Sequence, residues 1–331
     1  LLIISLVVVF ILIALFSIML YRKNTRIKKA YRLLEQQNHE ILQQKEEIAA
    51  QRDEIETQKE EIESQRDLAT KQRDQISKQK QRITDSISYA SRIQQAILPP
   101  DDLIGKLLPD YFILYKPRDI VSGDFYWLAK KEDKTIIVAA DCTGHGVPGA
   151  LLSMLGMAFL NEIISMNVRL EANNILDQLR DKIKTSLRQT GNPDDTMDGM
   201  DLSLCVVDFS TKELQYSGAN NSVYIIREAK LTEIKADRMP IGIHVIKELP
   251  FVNNDVQLQK GDTFYMFSDG YFDQFGGDLK RKFMTKNFKQ LLLDIQDLDM
   301  QAQKEILDKT IEEYRGNLKQ VDDILVIGVK V

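Results

Sequence analysis

Residues 136–150 read Ile136-Ile137-Val138-Ala139-Ala140-Asp141-Cys142-Thr143-Gly144-His145-Gly146-Val147-Pro148-Gly149-Ala150. Five apolar residues, three of them β-branched, predict a buried strand over Thr135–Ala140. A glycine-rich turn follows, and Pro148 suits the first turn of an apolar helix. Asp141 therefore stands at a strand end, beside a turn that aims backbone groups at whatever the carboxylate binds. Three more aspartates share that setting: Asp124 in Ser122-Gly123-Asp124-Phe125, Asp269 in Ser268-Asp269-Gly270, and Asp322 in Asp322-Asp323-Ile324-Leu325-Val326. Any one of them could simply begin a turn. Four together supply the oxygen donors that a hard divalent cation takes, and a pair of such ions activates water and clamps a phosphate. The set is read as a metal-dependent phosphatase site.

The chain has 331 residues and a net charge of −5, without a dense basic face, so nucleic acid is not expected as a partner. Cys142 and Cys205 are the only cysteines; they form no CxxC pattern and fit a reducing compartment. Neither is followed by a phosphate-loop arginine, which argues against thiol-phosphatase chemistry.

Ahead of these motifs lie two other regions. Residues 1–21 are apolar through Leu20 apart from Ser5 and Ser17, long enough to cross the ~30 Å hydrocarbon layer as a helix. Arg22, Lys23, Arg26, Lys28 and Lys29 follow, so the positive-inside rule predicts a single span of the inner (cytoplasmic) membrane with everything downstream in the cytoplasm. Because the sequence starts within this stretch and without Met, it is expected to be part of a longer protein carrying a sensor.

Residues 22–82 are expected to form a coiled-coil signalling rod. No Gly or Pro occurs from Arg22 to Leu98, and Ile27, Leu34, Ile41, Ile48, Ile55, Ile62, Ala69, Ile76, Ile83, Ala90 and Ile97 recur every seven residues. Gln37, Gln44, Gln51, Gln58, Gln65, Gln72 and Gln79 fill the second seam position, where leucine is usual, which predicts a weak parallel homodimer. A single solvated helix held by charge pairs is the alternative. Residues 83–100 carry a broader apolar face (Ile83, Ile87, Ala90, Ile93, Ile97, Leu98) and read as a linker and dimerisation helix stopped by Pro99-Pro100.

Residues 101–331 are expected to be one domain. Strands are predicted at 111–115, 135–140, 202–209, 213–216, 222–227, 263–267 and 324–331, and helices at 148–166, 175–188, 283–295 and 301–314. The closely spaced strands at 202–227 suggest an antiparallel meander, and the whole pattern suggests two antiparallel sheets with helices outside.

The order of GDFYW, DxTGHGxPGA, DGMDLSLCVVD, SGANN, MPIGI, SDG and an Asp pair before the final strand resembles the PPM/PP2C phosphatases of the SpoIIE/RsbU type, over roughly Thr84 to Val331. That resemblance implies an α+β fold, a four-layer αββα sandwich, with two Mn²⁺ or Mg²⁺ ions between the sheets. It implies that Asp141 bridges both ions, with the Cys142 carbonyl in place of the glycine carbonyl of the wider family. Asp269 and Asp322 then hold one ion and Asp124 the other, and a water activated between the ions attacks phosphorus.

His145 matches the histidine of the family's GHG motif and is a candidate acid for the leaving oxygen or a structural loop histidine. Arg118 is a candidate phosphate contact or an exposed loop arginine. Asp198 and Asp201 could hold a weaker third ion or sit in a solvated turn, and Asp323 reads as a supporting or turn residue. Leu325 stands where relatives usually carry Thr, removing a hydrogen bond but no metal ligand. The implied activity is serine/threonine protein phosphatase. Its expected substrate is a small phosphorylated regulator, such as a STAS-domain anti-sigma-factor antagonist. A catalytically inactive scaffold on the same fold is the alternative reading. A histidine kinase built on His39 is disfavoured, since no proline follows and no nucleotide-binding loops appear downstream.

Overall fold

The computed structural model describes residues 2–166, 170–192, 195–244 and 248–331. The chain divides into two units, Leu1–Gln81 and Arg82–Val331.

The first unit lies within helix α1 (Leu2–Ile97). Glu, Gln, Lys, Arg and Ala dominate its polar part, all good helix formers, and pairs four apart such as Gln58–Glu54 and Gln65–Glu61 bond at 3.3 and 3.4 Å. Ile41, Ile48, Ile55, Ile62 and Ile76 are all exposed, so the seven-residue stripe is unpartnered within the chain. The large apolar residues from Leu6 to Leu20 are also exposed, and α1 and α3 (Val147–Ser165) are both long and apolar enough to cross a membrane. For α3 the cause lies elsewhere, because Met157, Leu160 and Ile163 are buried in the core of the second unit.

The second unit takes in the end of α1, which stops before the two prolines, as expected. The short helix α2 (Asp101–Leu107) follows. The remaining strands and helices, in chain order, are β1 (Asp110–Lys116), β2 (Phe125–Lys131), β3 (Lys134–Cys142), α3, α4 (Ala172–Ser186), β4 (Met200–Asp208), β5 (Glu213–Ala219), β6 (Val223–Arg227), β7 (Lys230–Ile234), β8 (Asn254–Gln257), β9 (Thr263–Phe267), α5 (Gly270–Asp273), β10 (Phe275–Gly276), β11 (Arg281–Lys282), α6 (Thr285–Ile295), α7 (Met300–Arg315) and β12 (Ile324–Lys330).

Two antiparallel five-stranded sheets run β2-β3-β4-β5-β8 and β1-β12-β9-β6-β7, and β10 and β11 form a small hairpin. Three apolar layers fill the αββα sandwich. Leu160, Ile175 and Leu179 of α3 and α4 pack on Trp127, Val138 and Leu204. Ile137, Cys205, Met266, Leu325 and Ile327 fill the space between the sheets. Phe288, Leu292, Leu307 and Ile311 of α6 and α7 cover Tyr265 and Val326. Each strand alternates faces, so the residue just beyond a strand end inherits the parity of the side it continues.

The run at 202–227 does not form one meander. β4 and β5 are hydrogen-bonded neighbours, but β6 crosses to the other sheet and pairs with β7 and β9. The chain turns between sheets at Asn220, which has a φ of 58°, a conformation asparagine tolerates better than most residues. The edge strands β7 and β8 have no counterpart in the expected elements. They are short and carry Lys230, Thr232, Glu233, Asn254, Asp255 and Gln257, a polar composition that protects an edge and leaves no apolar signal to read.

Candidate metal and phosphate site

Strand parity assembles the site. In β3, Ile137 and Ala139 face the inter-sheet layer while Val138, Ala140 and Cys142 face α3, which gives Asp141 the inter-sheet parity. Asp201 lies opposite it in the β3–β4 register. Asp124 precedes β2, Ser268 follows β9 and Asp323 precedes β12 on the same parity, so all converge on one end of the slot between the sheets.

Three glycines let the carrying loops close. A Cβ on Gly123 would stand 2.7 Å from the Gly144 carbonyl oxygen and 3.3 Å from that of Cys142. One on Gly149 would meet the Gly144 oxygen at 2.2 Å, and one on Gly270 the Asp323 oxygen at 1.9 Å. No side chain fits at such separations, so glycine here is a packing requirement.

Asp323 ties these loops together and does more than begin a turn. It is 3% exposed; its Oδ1 accepts from the amide of Arg118 at 2.6 Å and its Oδ2 from that of Gly123 at 2.7 Å. Thr143 similarly fastens the turn after Asp141 to the approach to Asp201. Its amide and hydroxyl donate to the Gly199 carbonyl at 2.9 and 2.8 Å. Ser268 and Leu325 pair through the Ser268 amide on the Leu325 carbonyl at 2.9 Å and the Leu325 amide on Ser268 Oγ at 3.0 Å. The Leu325 side chain itself fills the apolar inter-sheet layer.

The carboxylates repel one another in a desolvated setting. Burial pushes the pKa of Asp124 well above the usual carboxylate range, and the charge of Asp141 adds to it. Asp141 is raised in the same way by burial, then by Asp269, Asp322 and Asp201. Burial, followed by Asp273 and Asp322, pushes Asp269 up to about 6, while Asp322 and Asp201 are raised chiefly by burial. Asp124 Oδ2 is buried with no hydrogen-bond partner. Among the described residues no three His, Cys, Asp or Glu side chains stand as a closed ligating cluster. The donor set still fits a hard divalent cation: the side chains are oxygen donors, one is orphaned in the interior, and a cation would relieve their repulsion.

Of the other candidates, His145, Arg118 and Asp198 lie toward the edge and Asp201 and Cys142 further in. His145 is exposed, with Nδ1 3.1 Å from Asp119 Oδ2. The Arg118 guanidinium donates to the Val321 carbonyl at 2.8 Å, beside Asp322, and both Arg118 and His145 act to lower the Asp322 pKa. Asp201 accepts from Asn220 Nδ2 at 2.8 Å, and Asp198 is exposed. Cys142 is 4% exposed, and burial pushes its thiol pKa well up, with Asp141 adding to it.

Gln94, near the end of α1, did not stand out in the sequence. It is 3% exposed; its Nε2 donates to the Ser122 carbonyl at 2.6 Å and to Ser153 Oγ at 2.8 Å, and its Oε1 accepts from the Ser122 amide at 3.1 Å. A lone glutamine in a helix full of glutamines gives no signal, apart from its place just after the seam changes from Gln to Ile93.

Residues 131–331 match the model of the stage II sporulation protein E (SpoIIE) family. The chain belongs to the SpoIIE family. The SiaA PP2C domain of Pseudomonas aeruginosa is 34% identical, with a TM-score of 0.70 over 76% of this chain and 98% of that one. The PP2C phosphatase domain of SpoIIE from Bacillus subtilis, solved with a fragment of its regulatory domain, is 18% identical, with a TM-score of 0.55 over 67% of this chain and 63% of that one. The RsbU and RsbW domains of Rv1364c from Mycobacterium tuberculosis are 19% identical, with a TM-score of 0.52 over 68% and 60%. No curated protein matches the chain. As a SpoIIE-family member it has the PP2C phosphatase fold, and the aspartate loops described above occupy one end of that fold's inter-sheet slot.

Proposed function

We propose that this chain is a metal-dependent serine/threonine protein phosphatase acting on a phosphorylated regulatory protein. The observation that carries the reading is the convergence of Asp124, Asp141, Asp269 and Asp322, with Asp124 Oδ2 orphaned, on one end of a PP2C-type sandwich. Asp141 and the Cys142 carbonyl would hold two Mn²⁺ or Mg²⁺ ions jointly with Asp269 and Asp322 on one side and Asp124 on the other. Bound there, two divalent ions supply an activated water and the charge that neutralises a phosphate.

The chain's own residues do the rest. Asp323 sets the loop that carries Asp124 by holding the Gly123 amide. Asp119 orients the His145 ring, leaving the other ring nitrogen to donate a proton to the departing serine or threonine oxygen. Arg118, beside Asp322, would meet phosphate oxygens once its guanidinium leaves the Val321 carbonyl.

The substrate we favour is a STAS-type regulator, by likeness to the family. The exposed Ile/Gln stripe supports a weak parallel homodimer of the rod, continued by the broader apolar face of residues 83–100. Residues 1–21 would anchor it in the inner membrane, with the phosphatase domain in the cytoplasm and its activity governed through α1.

The test is Mn²⁺-dependent hydrolysis of an aryl phosphate by the full chain in detergent. Activity abolished in both Asp141→Ala and Asp269→Ala is the expected result, and unchanged turnover in either refutes the two-ion reading.

A further inference from the structure

The β10–β11 hairpin stands at the rim of the carboxylate site, and none of the roles above uses it. Its root is shared with the site. It follows Asp269 through the single turn of α5, and Lys282 acts to lower the Asp269 pKa against its acidic neighbours. Gln274, fully buried, donates to the carbonyls of Phe275 at 2.9 Å and Lys319 at 3.1 Å. Its Oε1 accepts from the amide of Val321, the residue before Asp322, at 3.0 Å. Tyr314 fixes the hairpin from the other side. Its hydroxyl donates to the Arg281 carbonyl at 2.9 Å, and a Cβ on Gly276 would meet its backbone oxygen at 2.0 Å. The hairpin is therefore a held projection.

Its outer surface is basic and partly apolar. Leu279 is 72% exposed, with Met284 also open to solvent. Lys280, Arg281, Lys282 and Lys286 outweigh Asp278 there, in a chain of net charge −5 and beside a site made of carboxylates. Lys282 pairs with Asp273 at 2.7 Å, whereas among the described residues Lys280 and Arg281 are exposed and reach no carboxylate.

We propose that this hairpin is the docking surface for an acidic segment of the phosphoprotein substrate. Lys280 and Arg281 pair with carboxylates near the phosphorylated residue, and Leu279 covers an apolar side chain between them. The inference rests on the phosphatase reading and adds to it. An anionic phosphoprotein approaching an anionic enzyme needs a cationic landing point near the reacting group, and such a patch raises the rate of encounter in a salt-dependent way. Since it lies outside the reacting centre, it lowers KM and leaves kcat alone.

The test uses the full chain in detergent and two labelled phosphoserine peptides that share one Leu, one otherwise flanked by Asp and Glu and one by Ser and Gly. Binding is read by fluorescence anisotropy, with aryl-phosphate turnover measured in parallel. The acidic peptide should bind more tightly than the neutral one, and the preference should fade with added salt. K280E/R281E should weaken the acidic peptide roughly tenfold and leave aryl-phosphate turnover unchanged. Leu279→Ser should weaken both peptides. Equal binding of the two peptides to the native chain, or an unchanged preference in K280E/R281E, overturns the proposal. So does loss of binding to anionic phospholipid vesicles in that variant without any effect on peptide, which would make the hairpin a membrane contact. If the native chain lacks Mn²⁺-dependent aryl-phosphate hydrolysis, the phosphatase reading falls and docking with it; hydrolysis without peptide preference removes the docking surface alone.

Discussion

The side-chain amide of Gln94 donates to the carbonyl of Ser122 at 2.6 Å, two residues ahead of Asp124, while the Ser122 amide donates back to Gln94 at 3.1 Å. One side chain of α1 thus closes both backbone groups of the loop that presents a proposed metal ligand. Removing it leaves buried donors and acceptors unmet, a penalty of about 1–3 kcal/mol. Gln94→Ala should raise the Mn²⁺ concentration needed for half-maximal aryl-phosphate hydrolysis by roughly fivefold or more, as follows if the loop becomes free to sample other positions. A Mn²⁺ titration that overlays the native curve would show that the contact is only structural.

Asp322 and Asp323 are adjacent in sequence but have separate tasks. Asp323 is engaged by the amides of Arg118 and Gly123, whereas Asp322 is the one proposed to hold an ion. Asp323→Ala should cost about 2–4 kcal/mol of folding stability by stranding those amides. Asp322→Ala should abolish activity and leave stability nearly unchanged, or raise it by relieving repulsion. Thermal unfolding and turnover of both variants together separate the two roles; matching losses would refute the division.

Stability should depend on pH in a direction opposite to that of a salt-bridged carboxylate. Burial holds the Asp269 pKa up at about 6 against an ordinary 3.8, so the folded state binds the proton more tightly than the unfolded one. The stabilisation from that proton is complete below the ordinary value and disappears as pH rises through about 6; Asp124 and Asp141 shift the same way. In EDTA, calorimetry should give a Tm lower by roughly 5 °C at about pH 7.5 than at about pH 5. Excess Mn²⁺ should restore it at the higher pH, since cations bind the ionised carboxylates. A Tm that rises with pH in EDTA would contradict the assigned repulsion.

The rod makes its own prediction. With Gln at Gln44, Gln51, Gln58 and Gln65 and exposed Ile three residues earlier in each heptad, association should be weak. Replacing Gln51 and Gln58 by Leu buries four leucines per dimer and should tighten association at least about tenfold, read by sedimentation of the full chain in detergent. Ile55→Lys should favour monomers. No change in either variant would favour the solvated single helix.

The aspartate loops were legible because their chemistry is local. A carboxylate at a strand end with glycine beside it looks the same in sequence and in space, as Asp141 and Asp269 show. The long helix α1 was legible for the same reason, since a run of good helix formers free of Gly and Pro needs no tertiary knowledge. What escaped depends on distant partners. Gln94 and Ser122 are 28 residues apart, and Gly123 and Asp323 are 200 apart. Neither pairing leaves a pattern in either segment. The crossing of β6 between sheets was missed because two strands joined by a short turn normally pair, and nothing in Asn220-Asn221-Ser222 announces a change of sheet.

Cys142 follows Asp141 in β3, yet its side chain points away from the slot and into the apolar layer under α3. Burial keeps its sulfur in the thiol form, and peroxide attacks thiolates. Phosphatases that work through a cysteine are silenced when that atom is oxidised. Here the thiol next to Asp141 is shielded and idle, so a burst of oxidant should leave the proposed activity intact where thiol-based phosphatases stop.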